Sequence, residues 1–192
     1  MIKKVIKIAY RKLLNHASHD KKANYLRKRG VKVGTGNRFN CDLSFVGSEP
    51  YLVEIGSDCV FAGEVKFFTH DGGVNVINKL YYRDEYKDKV GKVKIGDNCF
   101  IGFRTIVLPN VTIGNNCIIG AMSVVTKDVP DNMVMAGIPA RAICTVEEYY
   151  NKSKDSLYPT KDLSREEKRK YFENHPIWLG KEKLWRFVKF YL

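Results

Sequence analysis

Four histidines occur in this 192-residue chain, at positions 16, 19, 70 and 175. A histidine whose ordinary pKa lies near neutrality is well suited to strip a proton from a hydroxyl. His16 and His19 stand in a strongly basic stretch, and His175 precedes a proline. His70 stands elsewhere, in the run Phe67-Phe68-Thr69-His70-Asp71-Gly72-Gly73. Asp71 could orient and charge-stabilise the imidazole, or it could shape the turn before the two glycines; the residues leave both open. The five cysteines (Cys41, Cys59, Cys99, Cys117, Cys144) form no CxxC pair and no zinc spacing, and they read as reduced, buried thiols. No GxxxxGK[ST] loop and no GxGxxG after a strand is present, which argues against ATP or NAD chemistry.

The elements that must position His70 are written in a period of six. An aliphatic residue recurs at Ile95, Ile101, Val107, Ile113, Ile119 and Val125, with glycine following at 96, 102, 114 and 120. Small or β-branched residues sit four past it (Cys99, Thr105, Val111, Cys117, Ser123). Asn98, Asn110 and Asn116 sit three past it, and asparagine tolerates the left-handed backbone of tight corners. The same spacing joins Val33, Phe39 and Phe45, and again Ile55, Phe61 and Phe67. Four extra residues around Ser48-Glu49-Pro50 separate these two sets, and an excursion from Phe68 to Lys92 separates the second from the third. Neither a 3.6-residue helix nor plain alternation gives this period. Short strands with corners do: three hexapeptides close a triangular coil of about 18 residues, and coils stack into a solenoid. Cys99 and Cys117 then lie one above the other as corner fillers. His70 falls where a coil ends and the excursion begins, at a rim.

The stretches KVKIGDNCFIGFRTIVLPNVTIGNNCIIGAMSVVTKDVPDNMVMAGIPARAI and FFTHDGG resemble the hexapeptide-repeat acyltransferases, the second being similar to the catalytic loop of polysaccharide O-acetyltransferases. The resemblance runs from about Val31 to Ile143. It implies a mainly β fold, a left-handed parallel β-helix at residues 31–143 with an excursion loop at 68–92, assembled as a homotrimer with active sites between subunits. It implies acetyl-CoA as co-substrate, His70 as catalytic base and a sugar or polysaccharide acceptor. Phe100 would line the coenzyme A side, or else cap the core. Gly102 would offer a backbone N–H to the thioester oxyanion. Gly120 and Ala121 would border the pantetheine groove, and Lys127 and Arg141 would lie near the phosphates. Asn40 would contact the acceptor. Within the excursion Tyr81 to Tyr86, with Tyr82 and Arg83 foremost, would recognise the acceptor or pack the trimer.

The net charge of +12 divides unevenly. Residues 1–32 carry eleven Lys and Arg against one Asp, residues 33–150 carry eleven against fourteen acids, and residues 151–192 carry eleven against six. A nucleic-acid-binding body would show the reverse, so no nucleic-acid partner is expected. Residues 1–30 read as a basic helical arm, with Ile2, Val5, Ile6, Ala9 and Leu13 at helical spacing. Such an arm either covers unpaired strand edges at the end of the coil, the favoured reading, or touches an anionic membrane surface. Residues 144–192 read as a helical extension, with Ser164 and Glu167 at capping-box spacing and a basic aromatic end, WLGKEKLWRFVKFYL. No secretory signal or membrane span is visible, so a cytoplasmic protein is expected, at the inner membrane face if the arms bind lipid. No metal is expected: the carbonic anhydrases of similar shape need three histidine ligands, and only His70 lies in the repeat. Two further functions stay open, N-acetylation of a nucleotide-linked amino sugar and a non-catalytic binding scaffold.

Overall fold

The computed structural model describes residues 14, 16–83 and 85–175. The chain divides into a unit of Met1–Val146 and a second of Glu147–Leu192. The first is mainly β. One sheet orders β1 (Lys32–Val33), β3 (Val53–Ile55), β6 (Val93–Ile95) and β9 (Val111–Ile113). A second orders β2 (Arg38–Phe39), β4 (Val60–Phe61), β7 (Phe100–Ile101), β10 (Ile118–Ile119), β12 (Met133–Gly137) and β13 (Ala140–Thr145). The third holds β5 (Lys66–Phe67), β8 (Ile106–Val107) and β11 (Val124–Val125). From β3 to β11 the chain visits the three sheets in rotation. All strand pairs are parallel except β12 with β13.

The register converts the six-residue period into stacking. Where the repeat is unbroken, partners lie 18 residues apart, as in Phe100↔Ile118 and Val93↔Val111. Across the insertion near Glu49 the offset is 22, as in Arg38↔Val60; across the excursion it is 40, as in Val60↔Phe100. Each extra segment therefore leaves the stack and returns without shifting it.

The inward residues join one buried cluster. Phe39, Phe61, Ile101 and Ile119 line it from the second sheet, while Phe45, Phe67, Val107 and Val125 line it from the third face. The four phenylalanines pack ring on ring: Phe61 lies 5.2 Å from Phe39, 5.4 Å from Phe45 and 6.1 Å from Phe67. Burying each ring contributes about 2–3 kcal/mol. At the corners, Asn98, Asn110 and Asn116 take φ of 53°, 61° and 54°, as their residue type suggested. Cys59, Cys99 and Cys117 fill a shared corner, each thiol donating to a carbonyl of the next coil (Gly96, Gly114 and Pro130, 3.0–3.1 Å).

The first coil is closed by α1 (His19–Lys28). Lys22 is buried and its Nζ donates to the Phe39 carbonyl at 2.8 Å, while the Phe39 N–H donates to His19 Nδ1 at 3.1 Å. Arg27 donates to the carbonyls of Val33 (3.0 Å) and Gly34 (2.6 Å), and Arg29 to that of Leu43 (3.3 Å). Edge groups of the first coil are thus satisfied by α1 and the arginine that follows it, answering the cost of unpaired backbone. Helical structure in the N-terminal arm is therefore observed at 19–28; the helix expected over 2–14 lies outside the described residues except for Leu14, which is buried.

Two elements differ from the sequence reading. The excursion contains a helix, α2 (Val74–Tyr81), whose Val76, Ile77, Leu80 and Tyr81 are exposed. The second unit begins at Glu147, later than residue 144, and Cys144 and Thr145 still pair as strand, antiparallel to β12. That unit contains most of α3 (Val146–Ser153) and all of α4 (Arg165–Asn174). Ser164 and Glu167 do form the capping box, and Tyr158, Tyr171 and Phe172 cluster edge to face. Asp84 and the WLGKEKLWRFVKFYL segment lie outside the described residues.

Candidate active site

The third face ends its second coil at Phe68, whose N–H still bonds the Val107 carbonyl at 2.9 Å. The excursion then closes on itself at a neck. Gly91 N–H donates to Thr69 O at 2.8 Å, His70 bridges Val90 antiparallel, and Asp71 N–H donates to Lys89 O at 2.9 Å. The insertion one coil earlier starts from the same corner, because Phe67 N–H donates to Phe45 O at 2.7 Å. Gly47 (φ 75°) makes the close approach: a Cβ there would lie 2.9 Å from Thr69 Oγ1 and 3.1 Å from Phe67 O. Both departures from the repeat therefore meet at one corner.

Their meeting places Glu49 against His70. Glu49 Oε2 accepts the Thr69 hydroxyl at 2.5 Å and lies 3.0 Å from His70 Nδ1. The Thr69 hydroxyl foremost holds the Glu49 carboxyl below the usual carboxylate range; burial opposes it, and the His70 contact adds to the lowering. Opposite an ionised carboxylate, the Nδ1 position carries the proton, which leaves the Nε2 lone pair free to accept another. Nε2 has no hydrogen-bond partner among the described residues. The His70 side chain is 45% exposed and that of Glu49 22%, so the ring is open to a substrate while its partner is partly enclosed. The pair borders a cleft of about 350 Å³, lined also by Tyr51, Asp71, Asp88 and Val90.

Asp71 is engaged by the turn and by Lys89. One carboxylate oxygen accepts the Gly73 N–H at 2.9 Å and the other pairs with Lys89 at 2.7 Å, while the carboxylate in hydrogen-bond contact with the imidazole is that of Glu49. Glu49 was missed because it stands 21 residues before His70 in a segment that breaks the repeat. The findable signal was positional: insertion and excursion follow equivalent residues, Phe45 and Phe67, one coil apart.

Other expected residues lie apart from this cleft. Asn40 and Arg83 are exposed, and Tyr82, 43% exposed, has Lys87 Nζ 5.8 Å from its ring centre; none lines it. The expectation that Gly102 offers a free N–H fails, because that group donates to Ile119 O at 2.9 Å. Gly120 N–H is likewise spent on Met135 O at 2.8 Å. Both glycines serve stacking: at Gly102 a Cβ would meet Ala121 N and Ile119 O at 2.6 Å. Phe100, Ala121, Lys127 and Arg141 are exposed; Arg141 Nη1 reaches only the Ala140 carbonyl, at 3.1 Å. No group of three His, Cys, Asp or Glu side chains suited to a metal ion occurs among the described residues, and no described helix is long and apolar enough to cross a membrane.

Comparison with known proteins agrees with this architecture. A family model described as bacterial transferase hexapeptide (six repeats) matches residues 92–127. Protein CapG of Staphylococcus aureus is 50% identical over 150 residues, 78% of this chain and 86% of that protein. The galactoside O-acetyltransferase of Escherichia coli K12 is 33% identical over 137 residues, 71% of this chain and 63% of that enzyme. Among solved structures, a hexapeptide-repeat-containing acetyltransferase of Vibrio cholerae shares the fold, with a TM-score of 0.52 and 19% identity over 73% of this chain and 89% of that one. The chain belongs to the bacterial hexapeptide-repeat transferase family, and as a member it is an acyltransferase.

Proposed function

We propose that the protein moves an acetyl group from acetyl-CoA to a sugar hydroxyl, in the assembly of a bacterial surface polysaccharide, with His70 as general base. The observation that carries this reading is the contact of Glu49 with His70 Nδ1 beside an open cleft. The imidazole Nε2 takes the hydroxyl proton as the oxygen attacks the thioester carbonyl. Glu49 stabilises the imidazolium that forms, much as a buried carboxylate does for other catalytic histidines. The tetrahedral intermediate collapses by breaking the carbon–sulfur bond, and the proton on Nε2 passes to the departing thiolate, giving an acetyl ester and free coenzyme A.

The reading includes closure of the three sheets as a left-handed coil, and three such chains side by side with the cleft at each junction. The exposed Phe100, Ala121, Lys127 and Arg141 suit a track for coenzyme A, with an aromatic ring, a small residue for the pantetheine arm and two cations for the phosphates. The sugar acceptor is supported by likeness to the galactoside O-acetyltransferase. The test is His70→Ala: free thiol released from acetyl-CoA in the presence of acceptor sugars should fall at least about 100-fold, with sedimentation behaviour unchanged. Undiminished turnover in that variant overturns the mechanism.

A further inference from the structure

The insertion that supplies Glu49 also delivers an aromatic ring to the same cleft. It forms one 3-10 turn, Pro50–Leu52, in which Pro50 is buried and Tyr51 is 66% exposed. The backbone of Tyr51 is seated over Gly30, at the end of α1, where an added Cβ would come within 3.3 Å of the Tyr51 Cβ. The residue is therefore fixed at its base while its side chain borders the cleft with Val90, Val74 and Asn75. An exposed aromatic face beside polar acceptors suits a pyranose, which offers C–H groups on one side and hydroxyls at its edge.

The charges of the lining narrow the choice. Its ionisable groups are Glu49, Asp71, Asp88, Lys89 and His70. Lys89 is paired with Asp71 and Glu49 faces His70, whereas Asp88 makes no ion pair among the described residues. The cleft has three carboxylates against one lysine, and the uncommitted charge is negative.

We infer that Tyr51 and Asp88 form the acceptor subsite and select a neutral or amino-bearing pyranoside over a uronic acid or nucleotide-linked sugar. This deepens, and rests on, the acetyl-transfer reading above. Tyr51 acts as a stacking platform, and Asp88 receives a hydroxyl or ammonium group and repels an anion.

The test measures thiol release by the full chain with five probes: the methyl glycosides of glucose, galactose, glucosamine and glucuronic acid, and UDP-glucosamine. The neutral and amino glycosides should exceed the two anions in kcat/KM by about tenfold or more, and Asp88→Asn should shrink that gap several-fold. Tyr51→Ala should raise KM about tenfold with kcat nearly unchanged, and Tyr51→Phe should restore it. Preference for the glucuronide or the UDP-sugar, or an unmoved KM in a folded Tyr51→Ala, overturns the subsite alone. No thiol release with any probe overturns the acetyl-transfer reading as well, so the two failures are distinguishable.

Discussion

Replacing Glu49 isolates what a carboxylate does for the base. Glu49→Gln keeps an oxygen that can accept from Thr69 or His70 but removes the negative charge facing Nδ1, 3.0 Å away. A hydrogen bond to a charged group is worth about 1.5–3 kcal/mol. With the imidazole 45% exposed and the carboxylate 22% exposed, solvent screening places this pair at or below the lower end. A loss near 1.4 kcal/mol corresponds to about tenfold in kcat. Glu49→Ala also removes the contact that orients the ring, so about 100-fold is expected there. The assay is thiol release at saturating acetyl-CoA, run in wild-type and His70→Ala backgrounds. In the second background Glu49→Ala should cost almost nothing more, because its effect passes through the imidazole. Full activity in Glu49→Ala, or an undiminished penalty in the His70→Ala background, refutes the pairing as the source of catalysis.

Three further outcomes follow from the packing and the ionisation. Phe61→Ala, which empties a position in ring contact with Phe39, Phe45 and Phe67, should lower unfolding free energy by about 3–5 kcal/mol, measured by urea denaturation. Lys22→Met strands the Phe39 carbonyl and should cost about 1–3 kcal/mol, with faster amide exchange at Arg38 to Asn40 ahead of the later coils. The depressed Glu49 carboxyl contributes stability that is present above the ordinary carboxylate pKa and lost as pH falls through its lowered value. The melting-temperature gap between wild type and Glu49→Gln should therefore close in strong acid, as read by thermal scans at stepped pH.

The stack was legible because every coil poses the same problem to the same position. Ile95, Ile101 and Val107 face one shared core, and Asn98 and Asn116 occupy the same left-handed corner in adjacent coils, so repetition made the pattern visible. The placement of His70 at a rim was legible for the opposite reason, as it is the histidine where the repeat stops. Its partner was not, since Glu49 reaches it through Gly47 and the Phe45–Phe67 backbone bond, a contact made in space between two departures from the period. The helix in the excursion, Val74–Tyr81, was hidden by a length of only eight residues and by flanking glycines that read as loop. Gly102 misled because a glycine in a coil suggests an available amide; stacking claims that amide first.

The outermost described elements also bear on how the second sheet meets its surroundings. A column of parallel strands is a template at both ends, able in principle to recruit another column and lengthen without limit. At one end the lysine, arginine and histidine side chains of α1 occupy the docking groups, and at the other β13 reverses direction and offers an incoming coil the wrong polarity. Edge-to-edge extension of the second sheet is thereby disfavoured, because neither of its outer strands offers a free parallel template.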